Sequence, residues 1–126
     1  MSTSKRSDDR PDDRASFDVA LFTVNARYHH PSLALRCLWA NLGTLRERST
    51  LIEADGRAGA EEVARRVAAC RPRIAAGSVA IWNRRIMEDI VRLLRTRAPD
   101  MRIVLGGPEI PRDPARRPAI EGADAL

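Results

Sequence analysis

Residues 17–45, FDVALFTVNARYHHPSLALRCLWANLGTL, combine an apolar run, a polar and aromatic loop, and a helical pattern. The apolar run at 19–24 predicts a buried strand, and the helical pattern begins at Ser32, directly after a proline. In an open parallel α/β sheet, ligands bind beside the loops that leave the carboxyl ends of the strands. The first candidate site is therefore the loop that carries Asn25, Arg27, Tyr28, His29 and His30.

Length and composition indicate one small domain. The chain has 126 residues, of which 44% are hydrophobic, and no segment approaches the roughly 18 apolar residues of a membrane span. The charged start of the chain is not followed by an apolar segment, so it does not resemble a secretory signal. We therefore expect a cytoplasmic protein with no membrane partner.

Cysteine spacing and charge argue against several classes of site. Cys37 and Cys70 are far apart and show neither CxxC nor CxxxCxxC spacing, which disfavours a disulfide framework, a zinc site and an iron–sulfur cluster within this chain. The formal charge is +5, but the basic residues are almost all arginines spread along the sequence, and only 4% of residues are aromatic. This pattern does not favour a nucleic-acid partner.

After the first unit, the chain continues to alternate between strand and helix patterns. Residues 1–15 are rich in Asp and Arg with nothing to bury, so we expect a disordered tail before a domain at 16–126. The further predicted elements are strands at 50–54, 74–81 and 102–105, helices at 60–70 and 86–97, and a truncated fifth strand at 123–126. The first of these helices is predicted to face inward with Val63, Ala64, Val67 and Cys70, and the second with Ile86, Ile90, Leu93 and Leu94. Connections this short favour right-handed parallel crossovers. The prediction is a flavodoxin-like (Rossmann-type), doubly wound parallel sheet with strand order 2-1-3-4-(5).

Two glycines follow the fourth predicted strand. Gly106 and Gly107 lack Cβ atoms, so the backbone there can approach a flat or phosphorylated ligand closely. The alternative is a turn that only requires positive φ. The surrounding sequence is neither GxGxxG nor a P-loop, so it supports neither a dinucleotide site nor nucleotide hydrolysis.

Three motifs carry a resemblance to a known family. NARYHHPSLALRCLWANL, VAIWN and IVLGGPEI, in this order, resemble the amino-terminal cobalamin-binding domain of cobalamin-dependent radical SAM enzymes, over about residues 19–123. The resemblance implies a corrin held against the carboxyl edge of the sheet. It also implies a separate barrel domain that uses a 4Fe-4S cluster to cleave S-adenosylmethionine. No CxxxCxxC is present, so we expect this barrel to be absent and the chain not to turn over substrate by itself. The truncated fifth strand indicates a domain that is C-terminally incomplete.

The resemblance also implies the residues of the cofactor site. Asn25, Arg27, Tyr28 and His30 would border the corrin, Trp82 and Asn83 would flank it, and Gly106, Gly107 and Glu109 would line a channel for the nucleotide tail. Tyr28 and Trp82 would contact its apolar face, and Asn83 would donate to its amide side chains. The alternatives are that Trp82 caps the core and that Arg27 is solvated or pairs with Asp55.

Neither histidine stands in the pattern of a cobalt ligand. Domains of this type that carry a methyl group on a histidine-ligated cobalt show DxHxxG, but around His29 and His30 neither the Asp nor the Gly is present. A serine often found after the third strand of those domains is also not evident, since Ala80 lies near that position. We therefore expect no metal ligand from the protein.

A function of a different class stays open on the sequence. The chain could be a flavodoxin-like interaction or regulatory module, or a truncated relic, that binds no corrin. Its ending at Leu126 favours this alternative, because an incomplete fifth strand leaves the fourth strand exposed at the sheet edge.

Overall fold

The computed structural model describes residues 16–25, 32–55, 57–111, 113, 115, 120 and 122–125. The tail at 1–15 lies outside this part of the chain. The elements, in order, are β1 (Val19–Asn25), α1 (Leu33–Ala40), a 3-10 helix (Gly43–Arg48), β2 (Ser49–Asp55), α2 (Ala60–Ala69), β3 (Ile74–Ser78), α3 (Arg84–Arg97) and β4 (Arg102–Gly106). Among the described residues, no helix is long and apolar enough to cross a membrane.

The four strands form one parallel sheet in the order β2-β1-β3-β4. The predicted strand order is therefore confirmed. Ala125 adds a parallel bridge to Val104, and the Leu105 amide donates to the Ala125 carbonyl at 2.9 Å. The predicted start of a fifth strand thus lies beside β4.

The main core lies between the sheet and helices α2 and α3. Alternate residues of β1, such as Ala20 and Phe22, face this core, and the other residues of the strand, Val19 and Leu21, face α1. Burial of both faces explains why the strand is apolar throughout. Cys70, which was predicted to point inward from α2, is only partly buried, and Cys37 is exposed.

Helix α3 presents a slightly different face to the core from the predicted one. Ile90 and Leu94 are fully buried, as expected, whereas the other predicted residues, Ile86 and Leu93, are only partly buried. The fully buried set also includes Met87 and Val91. The buried stripe is therefore rotated towards residues that the sequence pattern did not single out.

Helix α1 is shorter than the predicted helix. The Asn41 side chain donates to the Cys37 carbonyl at 2.7 Å, and Gly43 has φ +64, so the chain leaves the α-helical path after Ala40. A 3-10 helix follows, and Leu38 and Leu45 remain largely exposed. The apolar periodicity at 32–45 is therefore divided between two short helices.

Strand β3 ends three residues earlier than predicted. The Asn83 side chain accepts from the Ala80 amide at 2.7 Å, and the Asn83 amide donates to the Ala80 carbonyl at 3.1 Å. These bonds close a turn over residues 80–83, and α3 begins directly after it. The prediction of a strand up to Ile81 is wrong because this turn takes the backbone groups that a strand would need.

Candidate functional site

The loops after β1, β3 and β4 lie at one edge of the sheet. The strands are parallel and in register, with Ser78 at the end of β3 opposite Gly106 at the end of β4. The Thr23 hydroxyl, near the end of β1, donates to the Ser78 carbonyl at 2.9 Å. The structure therefore brings the described parts of all three predicted loops together. The remaining site residues of the first loop, Arg27, Tyr28 and His30, lie outside the described residues, as does His29.

A recess of about 250 Å³ lies at this edge, between the start of α1 and the loop after β3. Asn25 and Ser32 line one side, and Trp82, Asn83 and Pro108 line the other. All three predicted loops thus contribute residues to one cavity, the third through Pro108.

The rim of the recess is apolar and exposed. Trp82 is 63% exposed, and Leu33, across the recess, is 74% exposed; Ile81, which precedes Trp82 in the chain, is 77% exposed. The alternative that Trp82 caps the core is therefore wrong. Large apolar side chains are therefore left in solvent on both sides of the cavity.

Asn83 is a structural residue of this site. It is 3% exposed, and its Nδ2 lies 2.9 Å from the Val24 carbonyl, 3.2 Å from Thr23 Oγ1 and 3.3 Å from the Ser78 carbonyl. Its side-chain amide is therefore already bonded to protein partners on two strands. Its role is to tie the ends of β1 and β3 together beneath the recess.

The paired glycines, Gly106 and Gly107, differ in whether a side chain would fit. A Cβ on Gly107 would lie 2.6 Å from the Val79 carbonyl oxygen and 2.7 Å from the Val79 nitrogen, and its φ is +106. Gly107 is therefore required by the turn itself, because Val79 and Ser78 already occupy the space of a side chain there. A Cβ on Gly106 would meet no atom within 4 Å, so the backbone there is open to a ligand.

Glu109 holds the turn after β4 in place. Its amide donates to the Val79 carbonyl at 3.0 Å, and its carboxylate lies 3.8 Å from Nη1 of Arg84 at the start of α3. Arg84 also pairs with Glu88 through Nε at 3.1 Å. Glu109 thus links the fourth-strand loop to the loop after β3.

Ser78 is a residue that the sequence-based analysis missed. The expectation that no serine stands after the third strand depended on a strand that continued to Ile81. Because β3 ends at Ser78, a serine does occupy the carboxyl end of the strand, and it lines the recess. Its Oγ lies 2.9 Å from where a Cβ on Gly107 would be.

Glu53 is a second residue that the sequence-based analysis missed. It lies in β2, and its carboxylate accepts from Asn25 Nδ2 at 2.8 Å and from the Ser32 amide at 2.7 Å. Partial burial raises the pKa of this carboxyl, but the bonds from Ser32 and Asn25 and the charge of Arg36 outweigh burial, so the pKa lies below its usual value. The available sequence signal was a carboxylate directly after the apolar pair Leu51 and Ile52 of this strand.

The described residues contain no group of three or more His, Cys, Asp or Glu side chains that could hold a metal ion. A larger depression of about 1050 Å³ lies at the opposite, amino edge of the sheet, beside Asp18, Ile74 and Arg102. None of the predicted site residues lines it. The recess at the carboxyl edge is therefore the candidate site.

Comparison with protein families shows what kind of domain carries this site. The family model described as "B12 binding domain" matches residues 19–126. The chain belongs to the B12-binding domain family. The match covers every element from β1 to the bridge at Ala125, so the family assignment applies to the whole described sheet.

A solved B12-binding structure has a similar fold. The chain is similar to a cobalamin-binding protein from Desulfitobacterium hafniense DCB-2, with a TM-score of 0.56 and 14% sequence identity. The similarity covers 85% of this chain and 51% of that one, so this B12-binding domain spans about half the length of its structural neighbour. At 14% identity, the similarity shows only that the two proteins share a fold. No curated protein matches the sequence.

Proposed function

We propose that this B12-binding domain holds cobalamin at the carboxyl edge of its sheet, over the recess between α1 and the loop after β3. The observation that carries the proposal is the meeting of a cavity, an open glycine and an exposed apolar rim at this edge, in a chain of this family. Ligands of open α/β sheets bind at this edge because the connecting loops diverge there.

Different residues of the candidate site suit different parts of cobalamin. Whole-ligand pockets usually measure about 300–1,000 Å³, so a recess of about 250 Å³ suits one part of a large cofactor, such as the bicyclic base of its nucleotide tail. Ser78 lines that space, and Gly106, whose backbone is open, is the register partner of Ser78 on β4. The exposed Leu33, Ile81 and Trp82 side chains would cover the apolar face of the corrin.

The protein's contribution is binding, orientation and exclusion of water. Bound cobalamin would supply methyl-transfer or redox chemistry at its cobalt. The apolar rim would keep water from one face of the cofactor, and the bonds of Asn83 would keep the floor of the recess rigid. We further propose that neither His29 nor His30 ligates cobalt, because neither stands in a DxHxxG pattern.

The partner that we propose is a radical SAM domain or chain, which would hold the 4Fe-4S cluster and S-adenosylmethionine. The support is the order of the three motifs around Asn25, Trp82 and Gly106, as in that group of enzymes. The coding sequence downstream of this chain tests the proposal. A CxxxCxxC motif there would support a radical SAM partner, and the absence of such a motif from the neighbouring reading frames would refute it.

Spectroscopy tests cobalamin binding directly. The purified chain is mixed with hydroxocobalamin, passed through a gel-filtration column, and its visible spectrum is recorded. We expect about one retained cofactor per chain. A protein peak without the chromophore would refute the proposal and favour an interaction module that binds no corrin.

A pair of variants locates the site. Gly106→Val places a side chain in the open space beside the recess, and we expect it to weaken binding about tenfold or more, equivalent to ~1.4 kcal/mol. Ala69→Val, at the exposed end of α2, adds bulk away from the recess and should bind as the unmodified chain does. Equal binding by both variants would place the cofactor elsewhere.

A further inference from the structure

One carboxylate joins groups on both sides of the β1–α1 connection. Glu53 Oε1 accepts from Asn25 Nδ2 at 2.8 Å and from the Ser32 amide at 2.7 Å, and Oε2 lies 2.7 Å from Arg36 Nη2. The Glu53 side chain is only 12% exposed. Charge-assisted hydrogen bonds of this length are among the stronger polar interactions in proteins.

These contacts connect Glu53 to the recess without placing it there. Asn25 and Ser32 line the recess, and so do Leu33 and Ala34, which follow Ser32, whereas Glu53 does not. Ser32 is also the N-cap of α1, since its Oγ accepts from the Leu35 amide at 3.2 Å. The position of Ser32 therefore determines where α1 begins, and Glu53 holds that position.

We infer that Glu53 is a positioning residue for the cofactor, an inference that rests on the proposed binding of cobalamin. Glu53 fixes the α1 side of the recess against the ends of β1 and β2. Without its carboxylate, Asn25 and the start of α1 lose their common partner, and the recess adopts its binding shape for a smaller fraction of the time. Apparent affinity falls in proportion to that fraction.

Two variants of Glu53 test the inference by titration of the full chain with hydroxocobalamin. Glu53→Ala removes every bond of the carboxylate, and we expect the dissociation constant to rise about tenfold. A rise of this size corresponds to a recess that adopts its binding shape about a tenth of the time. Glu53→Gln keeps one acceptor oxygen and should give a smaller rise. Glu62→Gln makes the same charge change on exposed α2 and should leave the dissociation constant unchanged.

A third variant separates positioning from stability. Val67→Ala creates a cavity under α2, in the part of the core away from the recess, and lowers stability without touching Asn25 or Ser32. At a temperature where both variants are folded, we expect Val67→Ala to bind as the unmodified chain does. A loss of affinity equal to that of Glu53→Ala would show that reduced stability alone explains the effect, and would overturn the inference.

The outcomes distinguish this inference from the proposed function. If the unmodified chain binds hydroxocobalamin and Glu53→Ala binds equally well, Glu53 has no positioning role, and cobalamin binding stands. If the unmodified chain binds none, the proposed function fails and the inference falls with it.

Discussion

Replacing each of the paired glycines in turn should show which of the two the turn after β4 requires for stability. Gly107→Ala places a Cβ 2.6 Å from the Val79 carbonyl oxygen and 2.7 Å from the Val79 nitrogen. Both are backbone atoms, held because the Val79 amide donates to Gly106 at 2.7 Å and the Val79 carbonyl accepts from Glu109 at 3.0 Å. The clash cannot be relieved by rotation of a side chain.

The magnitude follows from two independent costs. Overpacking against a fixed neighbour typically costs about 1–3 kcal/mol, and a non-glycine residue forced into an unfavourable backbone region costs a similar amount. For Gly107→Ala, at φ +106, we expect a loss of about 3–4 kcal/mol in the free energy of unfolding. In a domain of this size, that loss lowers Tm by roughly 10–15 °C.

The neighbouring glycine is the matched control. Gly106 is not in the left-handed region, and a Cβ there meets no atom within 4 Å, so Gly106→Ala should change stability by no more than about 0.5 kcal/mol. Thermal unfolding followed by circular dichroism measures both variants. A Gly107→Ala variant that melts within about 3 °C of the unmodified chain would refute the reasoning, since the turn would then tolerate a side chain.

The remaining predictions concern three other positions. Asn83→Ala leaves the Val24 carbonyl and the Ala80 amide without their partner, and should lower the free energy of unfolding in urea by about 2–4 kcal/mol; a loss below about 1 kcal/mol would contradict the buried-amide argument. Because the pKa of Glu53 is lower in the folded chain than its ordinary value, its ionisation stabilises the fold above that ordinary value, and this contribution is lost as pH falls through the folded pKa. The stability difference between the unmodified chain and Glu53→Gln should therefore be largest near neutral pH and shrink in acid, whereas a pH-independent difference would be inconsistent with this ionisation. His30→Ala should retain hydroxocobalamin in gel filtration, and loss of the chromophore would identify a ligand that the sequence pattern does not indicate.

The sequence was sufficient to locate the edge of the sheet where the candidate site lies, but not to assign a role to each residue there. The ends of β1, β3 and β4 share an edge because short crossover connections make the strands parallel, so Asn25, Trp82 and Gly106 were placed correctly at that edge. The sequence did not show which of these residues face the protein and which face open space. Asn83 and Gly107 proved to be parts of the scaffold, because their neighbours come from strands distant in sequence.

The sequence by itself determined the succession of strands and helices and the order of the sheet. These features depend on local apolar periodicity, on helix caps such as Ser32 and on the length of connections. Each of these signals comes from residues that are close together in the sequence. Only the tertiary structure decided that β3 stops at Ser78 and that Glu53 bridges Asn25 to Ser32. The physical reason is that a polar side chain bonds to whatever group the fold brings within about 3 Å of it. Glu53 meets Asn25 of β1 and Ser32 at the start of α1, and Asn83 meets the Val24 carbonyl, and these partners are distant in the sequence.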